Sequence, residues 1–218
     1  MVDIFVNCDL KEVLSLDELY SRVSKITKQA LYFFMKKEEV SILNYHFRYY
    51  FDHCIHQNRI QVISHHFSNH KIEGLTIIDE LGTTFSYEED NPETKRHFTL
   101  CHELGHFILK HDGSFFTESL DNQESILERE ANVFSAIVLM PDIVLLSKIF
   151  YACDSFQKVK EDLKVSKQAL YFRLIDLLRL YEVDTESAIK QAVGEYREGR
   201  NASIHQYFHK LKEILIGE

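Results

Sequence analysis

The sequence predicts an α+β fold that is mostly helical, with a small, mostly antiparallel sheet packed on one buried helix. The 218 residues include only seven Gly and two Pro, which favours helices over a turn-rich β sandwich. Apolar residues recur at helical spacing over most of the chain, and this period changes between residues 59 and 87. Hydrophobic residues make up 45% of the sequence, enough to build a packed core.

The N-terminal segment, residues 1–57, predicts two helices. In the first, apolar side chains recur at helical spacing, and Ser15 or Asp17 can cap its start. The second helix is expected to run from about Glu38 to His56. Its many aromatic side chains indicate a core helix rather than a ligand-binding surface.

The change of period after this segment predicts the sheet. Residues rich in β-branched side chains fit short strands. The sequence from Asp79 to Gly82 is typical of a hairpin turn, which leads into a strand from Thr83 to Tyr87. The apolar residues that mark the earlier strands are Ile60, Val62, Ile72, Leu75 and Ile77.

The next helix carries an HExxH motif. His102 and His106 are four residues apart and therefore lie on one face of a helix. Two imidazoles so placed can bind one zinc ion, and Glu103 beside them can act as general base toward a metal-activated water. The motif therefore indicates a metal-dependent hydrolase.

This motif helix is expected to run from about Asn91 to Lys110, because an Asn-Pro pair is typical of helix starts. Thr99 joins the three motif residues within one quadrant of the helix, and apolar side chains occupy most of the remaining circumference. A buried polar stripe is costly unless it has a partner. A metal ion would supply that partner.

A mononuclear zinc hydrolase needs three protein ligands and one open position. We expect the third ligand from the following buried helix, and we choose Glu128. Glu130 points about 200° away from it and is expected to be exposed. Asn132, one turn after Glu128, is expected to hydrogen-bond a ligating histidine. The alternative is that Glu128 is a solvated helix carboxylate.

The C-terminal segment predicts two helices, over residues 156–163 and 166–181, with Ser166 as an N-cap. Their arrangement is similar to a helix-turn-helix, and the stretch from Ser155 to Tyr181 has six basic residues against three acidic ones. Few side chains there are suited to reading bases. We therefore favour a structural hairpin or a substrate-docking surface over direct DNA binding.

Charge and cysteine usage set the expected compartment. The formal net charge of −9 argues against a general nucleic-acid coat protein. The four cysteines form no CxxC pair, so a structural zinc finger is not indicated. The N-terminus lacks the features of a signal peptide, and the most apolar run, residues 136–150, is interrupted by Pro141 and too short to span a bilayer. We expect a cytoplasmic protein that does not contact membranes.

Three segments in a fixed order resemble the ImmA/IrrE family of zinc metallopeptidases. They are FTLCHELGH at residues 98–106, the pattern ExxANxFS at residues 128–135, and LMP at residues 139–141. The combination is far more specific than HExxH alone. The resemblance is strong over about residues 70–145 and does not extend to the N-terminal segment.

The resemblance implies a zincin-like, gluzincin-type core with His102, His106 and Glu128 as metal ligands and Glu103 as the base. It also implies a protein substrate, a cytoplasmic helix-turn-helix repressor of a phage, mobile element or stress regulon. The expected cofactor is Zn²⁺, with Mn²⁺ or another divalent ion as alternatives, since a His-His-Glu site accepts several.

We expect three parts in the chain: an N-terminal helical segment at residues 1–57, a zinc metallopeptidase core at residues 58–150, and a C-terminal helical segment at residues 151–218. The core is expected to contain the HExxH motif and its carboxylate ligand. The flanking segments are expected to be helical.

Two functions remain open on the sequence. The first is a zinc endopeptidase that cleaves a repressor, and the second is a non-proteolytic regulator that binds a repressor or DNA through the same fold. The intact Glu103 favours the enzyme, because a binding module needs no base beside the metal. The oxyanion-stabilising residue stays open among His111, Tyr87 and a C-terminal tyrosine.

Overall fold

The computed structural model of this chain describes residues 15–68, 72–111, 115–119 and 125–216, with only the backbone path described for residues 115–119. The strands are β1 (Gln61–His65), β2 (Ile72–Asp79), β3 (Gly82–Glu88) and β4 (Phe115–Ser119). The helices are α1 (Leu16–Lys37), α2 (Phe47–Asn58), α3 (Glu93–Ile108), α4 (Ile126–Leu139), α5 (Asp142–Leu146), α6 (Phe156–Asp162), α7 (Lys167–Leu180), α8 (Glu186–Arg197) and α9 (Ala202–Ile216), and a π-helical turn (Ser147–Tyr151) follows α5. The prediction of a mostly helical α+β fold is confirmed.

Hydroxyl side chains set the start of several helices. Ser15 rather than Asp17 caps α1, in a capping box with Glu18. Ser166 caps α7, as predicted, by accepting a hydrogen bond from the backbone N–H of Ala169. Such caps satisfy an orphan backbone donor and stabilise each helix by about 1 kcal/mol.

Two predicted helix starts are wrong by different amounts. The second helix begins at Phe47 and not near Glu38, because the chain first passes through a turn in which Glu39 has a positive φ of 53°. His46 then caps the helix through its ring nitrogen. The motif helix begins at Glu93, only two residues later than expected.

The sheet has the strand order β1-β3-β2-β4. Strand β2 pairs antiparallel with both β3 and β4, and β1 pairs parallel with β3. The predicted mostly antiparallel sheet is therefore confirmed. The predicted hairpin is confirmed too, because Asp79 and Gly82 face each other at the tip of β2 and β3.

One face of this sheet packs on α3. Gly74, Thr76 and Phe85 point to that face and are buried. The ring of Phe85 lies 6.3 Å from the ring of Phe107 on α3, in an edge-on arrangement. The alternation of a strand thus places three small or apolar residues under the motif helix.

Helices α3 and α4 cross closely at Gly105. A Cβ atom added to Gly105 would meet Phe134 Cδ1 at 3.1 Å and Ala131 Cα at 3.2 Å. The absence of a side chain at Gly105 therefore allows the two backbones to approach. This crossing brings the first turn of α4 next to the motif residues of α3.

A buried ionic cluster joins α1, α5 and α7. Arg173 ion-pairs with Asp142, and it also donates to the carbonyl of Met140 and the hydroxyl of Tyr20, each at 3.2 Å. Lys28 completes the cluster with an ion pair to Asp142 at 3.0 Å. Every member of the cluster has a partner, as a buried charge requires.

No single helix among the described ranges has both the length and the apolar composition that crossing a membrane requires. The stretches Ile126–Leu139 and Asp142–Tyr151 meet that criterion only when taken together, and they are bent by 43° at their junction.

Candidate metal centre

The two motif histidines converge on one point. Their Nε2 atoms lie 3.0 Å apart, and both side chains are 1% exposed. They converge because residues four apart on α3 lie one turn apart on the same face. The predicted polar stripe is buried as a whole, since Thr99, His102, Glu103 and His106 are all inaccessible.

Glu128 reaches the same point from the first turn of α4. Its Oε2 lies 2.9 Å from Nε2 of His102, and its Oε1 lies 3.4 Å from Nε2 of His106. Burial alone would raise the pKa of Glu128, but its contacts with the two imidazoles bring that pKa down to about 2. The side chain is therefore an anion, only 12% exposed, beside the two rings.

These three side chains suit a zinc ion. With bond lengths of about 2.0–2.2 Å, the ligand atoms of a tetrahedral zinc lie roughly 3.2–3.6 Å from one another. The observed separations of 3.0, 2.9 and 3.4 Å need only small adjustments to reach that range. Two nitrogens and one carboxylate oxygen are also the donor set of many catalytic zinc sites.

The second ring nitrogen of His102 is engaged as well. Its Nδ1 lies 3.0 Å from Oδ1 of Asn132, one turn along α4 from Glu128. An amide oxygen only accepts hydrogen bonds, so this contact places a proton on Nδ1 of His102, and Nε2 then offers its lone pair to an ion that Glu128 and His106 would share. Asn132 thus lies where it can orient the imidazole.

The second ring nitrogen of His106 faces His111. The two Nδ1 atoms are 2.8 Å apart, and Nε2 of His111 lies 2.9 Å from Oε2 of Glu130. The other oxygen of Glu130 forms an ion pair with Arg22 on α1. Burial lowers the pKa of His106, and it lowers that of His111 to about 4, so both rings are neutral near pH 7.

The prediction that Glu130 is exposed is wrong. Its side chain is 6% exposed and lies between His111 and Arg22. The helical angle between Glu128 and Glu130 is as expected, but the opposite side of α4 faces α1 and not solvent. Glu130 is therefore a buried, fully paired carboxylate behind the ligand cluster.

Glu103 lies between α3 and the sheet. The hydroxyl of Thr76 on β2 donates a hydrogen bond to Oε2 of Glu103. The backbone of Gly74 passes so close that an added Cβ would meet Oε1 of Glu103 at 2.6 Å and would also overlap Cγ2 of Thr99. The carboxylate is consequently held between a strand and its own helix.

We expect the replacement of Gly74 with Ala to destabilise the protein by about 1–3 kcal/mol, because the new methyl group overlaps two buried side chains. Urea unfolding followed by circular dichroism measures this loss. Gly194 on α8 is a matched control, since an added Cβ meets nothing within 4 Å there, and its replacement with Ala should be neutral or stabilising. Equal stability of the two variants would show that β2 can move away from α3.

His111, Arg22, Thr76 and Gly74 were not predicted for these positions. His111 had a sequence signal, since it follows His106 by only five residues; in the structure α3 ends just before it and Lys110 has a positive φ of 56°. The backbone N–H of His111 then bonds to the carbonyl of His106 at 3.1 Å, which returns the chain to the helix. No comparable signal marks the other three.

These contacts distinguish His111 from Tyr87 as candidates for oxyanion stabilisation. Both ring nitrogens of His111 are engaged behind His106, so the ring is directed away from the ligand face. Tyr87 pairs directly opposite Gly74 across β2 and β3. Opposite residues of an antiparallel pair point to the same face, so Tyr87 lies on the side of the sheet that holds Glu103.

A family model described as the IrrE N-terminal-like domain matches residues 56–175, which is more than half of the chain. The match includes the HExxH helix and the carboxylate on α4, and it begins after nearly all of the N-terminal segment. Neither the curated proteins nor the solved structures contain a match to this chain.

Proposed function

Because this chain belongs to the IrrE N-terminal-like family of metallopeptidases, we propose that it is a zinc-dependent endopeptidase that cleaves a cytoplasmic helix-turn-helix repressor. The observation that carries the proposal is the triad of buried His102, buried His106 and partly buried Glu128, whose ligand atoms all lie within 4.8 Å of one another. A partly buried carboxylate beside two imidazoles has the chemistry of a divalent-metal site.

The ion, when bound, would lower the pKa of a water molecule and polarise the scissile carbonyl. Glu103 follows His102 directly on α3 and is the group that accepts the proton of the attacking water and passes it to the leaving amine. Thr76 fixes one oxygen of this carboxylate by donating a hydrogen bond to it. Glu103 is fully buried, so bulk water does not compete for the proton that Glu103 accepts.

Tyr87 is the candidate for a second donor to the developing oxyanion. It lies on the α3 side of the sheet, opposite Gly74. A phenol hydroxyl is a suitable donor in a site from which water is largely excluded. Removing this hydroxyl should therefore lower turnover more than it lowers substrate affinity.

The proposed substrate class follows from the family resemblance, and the C-terminal helices agree with it better than with DNA binding. Lys158 is paired with Asp162, and Lys164 is paired with Glu93. Contact of these two lysines with DNA phosphates would have to compete with both pairs. We propose that the hairpin of α6 and α7 supports the fold or contacts the protein substrate.

Mixing the purified full-length chain with a repressor tests this proposal. The repressors to be tried are small helix-turn-helix proteins, including any that is encoded beside this chain. Gel electrophoresis and mass spectrometry should show one defined cut when Zn²⁺ or Mn²⁺ is present and none when a chelator is present. Repressor that stays intact in a stable complex would instead indicate a non-proteolytic regulator, and cleavage of arbitrary unfolded proteins would indicate a general peptidase.

A further inference from the structure

A continuous line of polar contacts runs from the ring of His106 to the surface of α1. It passes from Nδ1 of His106 to Nδ1 of His111 over 2.8 Å, and from Nε2 of His111 to Oε2 of Glu130 over 2.9 Å. Arg22 ends the line by pairing with the other oxygen of Glu130. Its side chain is 51% exposed, whereas those of His111 and Glu130 are 4% and 6% exposed.

The chemistry of the end groups fixes where each proton lies. Nε2 of His106 faces His102 and Glu128, so it must keep a lone pair for an ion and the ring proton must be on Nδ1. Nδ1 of His111 must then accept that proton in a hydrogen bond, which leaves the His111 proton on Nε2. That proton points at the Glu130 carboxylate, whose charge is balanced by Arg22.

We propose that His111 is a positioning residue that, together with Glu130 and Arg22, holds His106 in its metal-binding tautomer and raises the basicity of its Nε2. This inference rests on the metal site of the proposed function. A neutral imidazole that donates toward a charged carboxylate is a stronger ligand than one that donates to water. The two ligands therefore differ, because His102 donates to a neutral amide and His106 to a line that ends in an ion pair.

The proposal gives the N-terminal segment a role in the site. Arg22 belongs to α1, which precedes the family match at residues 56–175. The charge that balances Glu130 is therefore supplied by a part of the chain outside the matched domain. Helix α1 packs along α4, the helix that carries both Glu128 and Glu130.

Zinc affinity of graded variants tests the inference. Replacing His111 with Leu should weaken zinc binding by about 10- to 100-fold, measured by competition with a chromophoric chelator. Replacing His111 with Gln should restore most of the affinity, because an amide can accept from His106 and donate to Glu130. Glu130→Gln and Arg22→Met should each cost less, on the order of 3- to 10-fold, because they remove charge but leave the His106–His111 contact.

Lys25 provides the matched control, because it is an exposed cation one turn along α1 from Arg22. Lys25→Met changes the net charge by the same amount as Arg22→Met and should leave zinc affinity unchanged. Thermal unfolding of the zinc-free variants shows whether a loss of affinity follows from a loss of fold. Equal weakening by Lys25→Met and Arg22→Met would overturn the role of Arg22.

A spectroscopic measurement needs no variant. Imidazole ¹⁵N NMR of the zinc-loaded wild-type protein should show His111 protonated at Nε2 alone and His106 protonated at Nδ1. Protonation of His111 at Nδ1, in either the neutral or the charged ring, would overturn the inference. The proposed function fails separately: a wild-type chain that binds no zinc removes the metal site itself, whereas tight zinc binding that survives His111→Leu removes only the role of His111.

Discussion

Replacing Glu103 with Gln is expected to lower the rate of repressor cleavage by about 10²–10⁴-fold while zinc stays bound. Gln keeps the shape of the side chain and can still accept the hydrogen bond that Thr76 donates. It cannot take a proton from water at neutral pH, so the chemical step loses its base. Single-turnover cleavage assays measure the rate, and atomic absorption measures the bound zinc.

The control for this variant is Glu93→Gln at the start of the same helix. The side chain of Glu93 is 52% exposed and pairs with Lys164, away from the triad. Cleavage by this variant should match the wild type. Wild-type cleavage by Glu103→Gln would remove the assigned base, and zinc loss in that variant would show that the residue supports the metal site instead.

Replacing Arg173 with Met should cost about 3 kcal/mol or more of the free energy of unfolding, the largest stability loss that we expect for a single substitution outside the metal site. The side chain of Asp142 is 1% exposed and would lose its main counter-ion. Lys28 would still pair with Asp142 at 3.0 Å, which keeps the expected loss near the lower end for broken buried pairs. Urea unfolding of the zinc-free protein measures the change.

The double variant Asp142→Leu/Arg173→Met separates the two causes of this loss. If an uncompensated carboxylate causes it, removing Asp142 as well should recover much of the stability, because buried pairs are replaced by apolar residues at little cost. Lys28 is 16% exposed and can then turn to solvent. A single Arg173→Met variant that loses less than about 1 kcal/mol would contradict this account of the cluster.

The sequence was most informative where local periodicity determines geometry. The four-residue spacing of His102 and His106 was sufficient to predict that their Nε2 atoms converge, because the geometry of one helical turn is fixed. The choice of Glu128 over Glu130 depended on the same rotation, and the structure brings Glu128 to the two imidazoles. Its role as a ligand stays a prediction.

The sequence was least informative about what lies opposite each helix. A helical angle gives the direction of Glu130 but not the neighbour in that direction, which is Arg22, 108 residues earlier in the chain. The position of Gly74 under Glu103 depends in the same way on how β2 packs against α3. Such contacts follow from tertiary packing, which a single sequence does not specify.

The close crossing of α3 and α4 at Gly105 has a consequence for the size of the metal ion that the site can hold. The absence of a side chain at Gly105 lets the α3 and α4 backbones approach there, and a larger residue would move the carboxylate on α4 away from the imidazoles on α3. Coordination distances differ between divalent ions by only tenths of an ångström. Gly105, which has no side chain and binds no metal, thus keeps the ligands close together and disfavours larger cations.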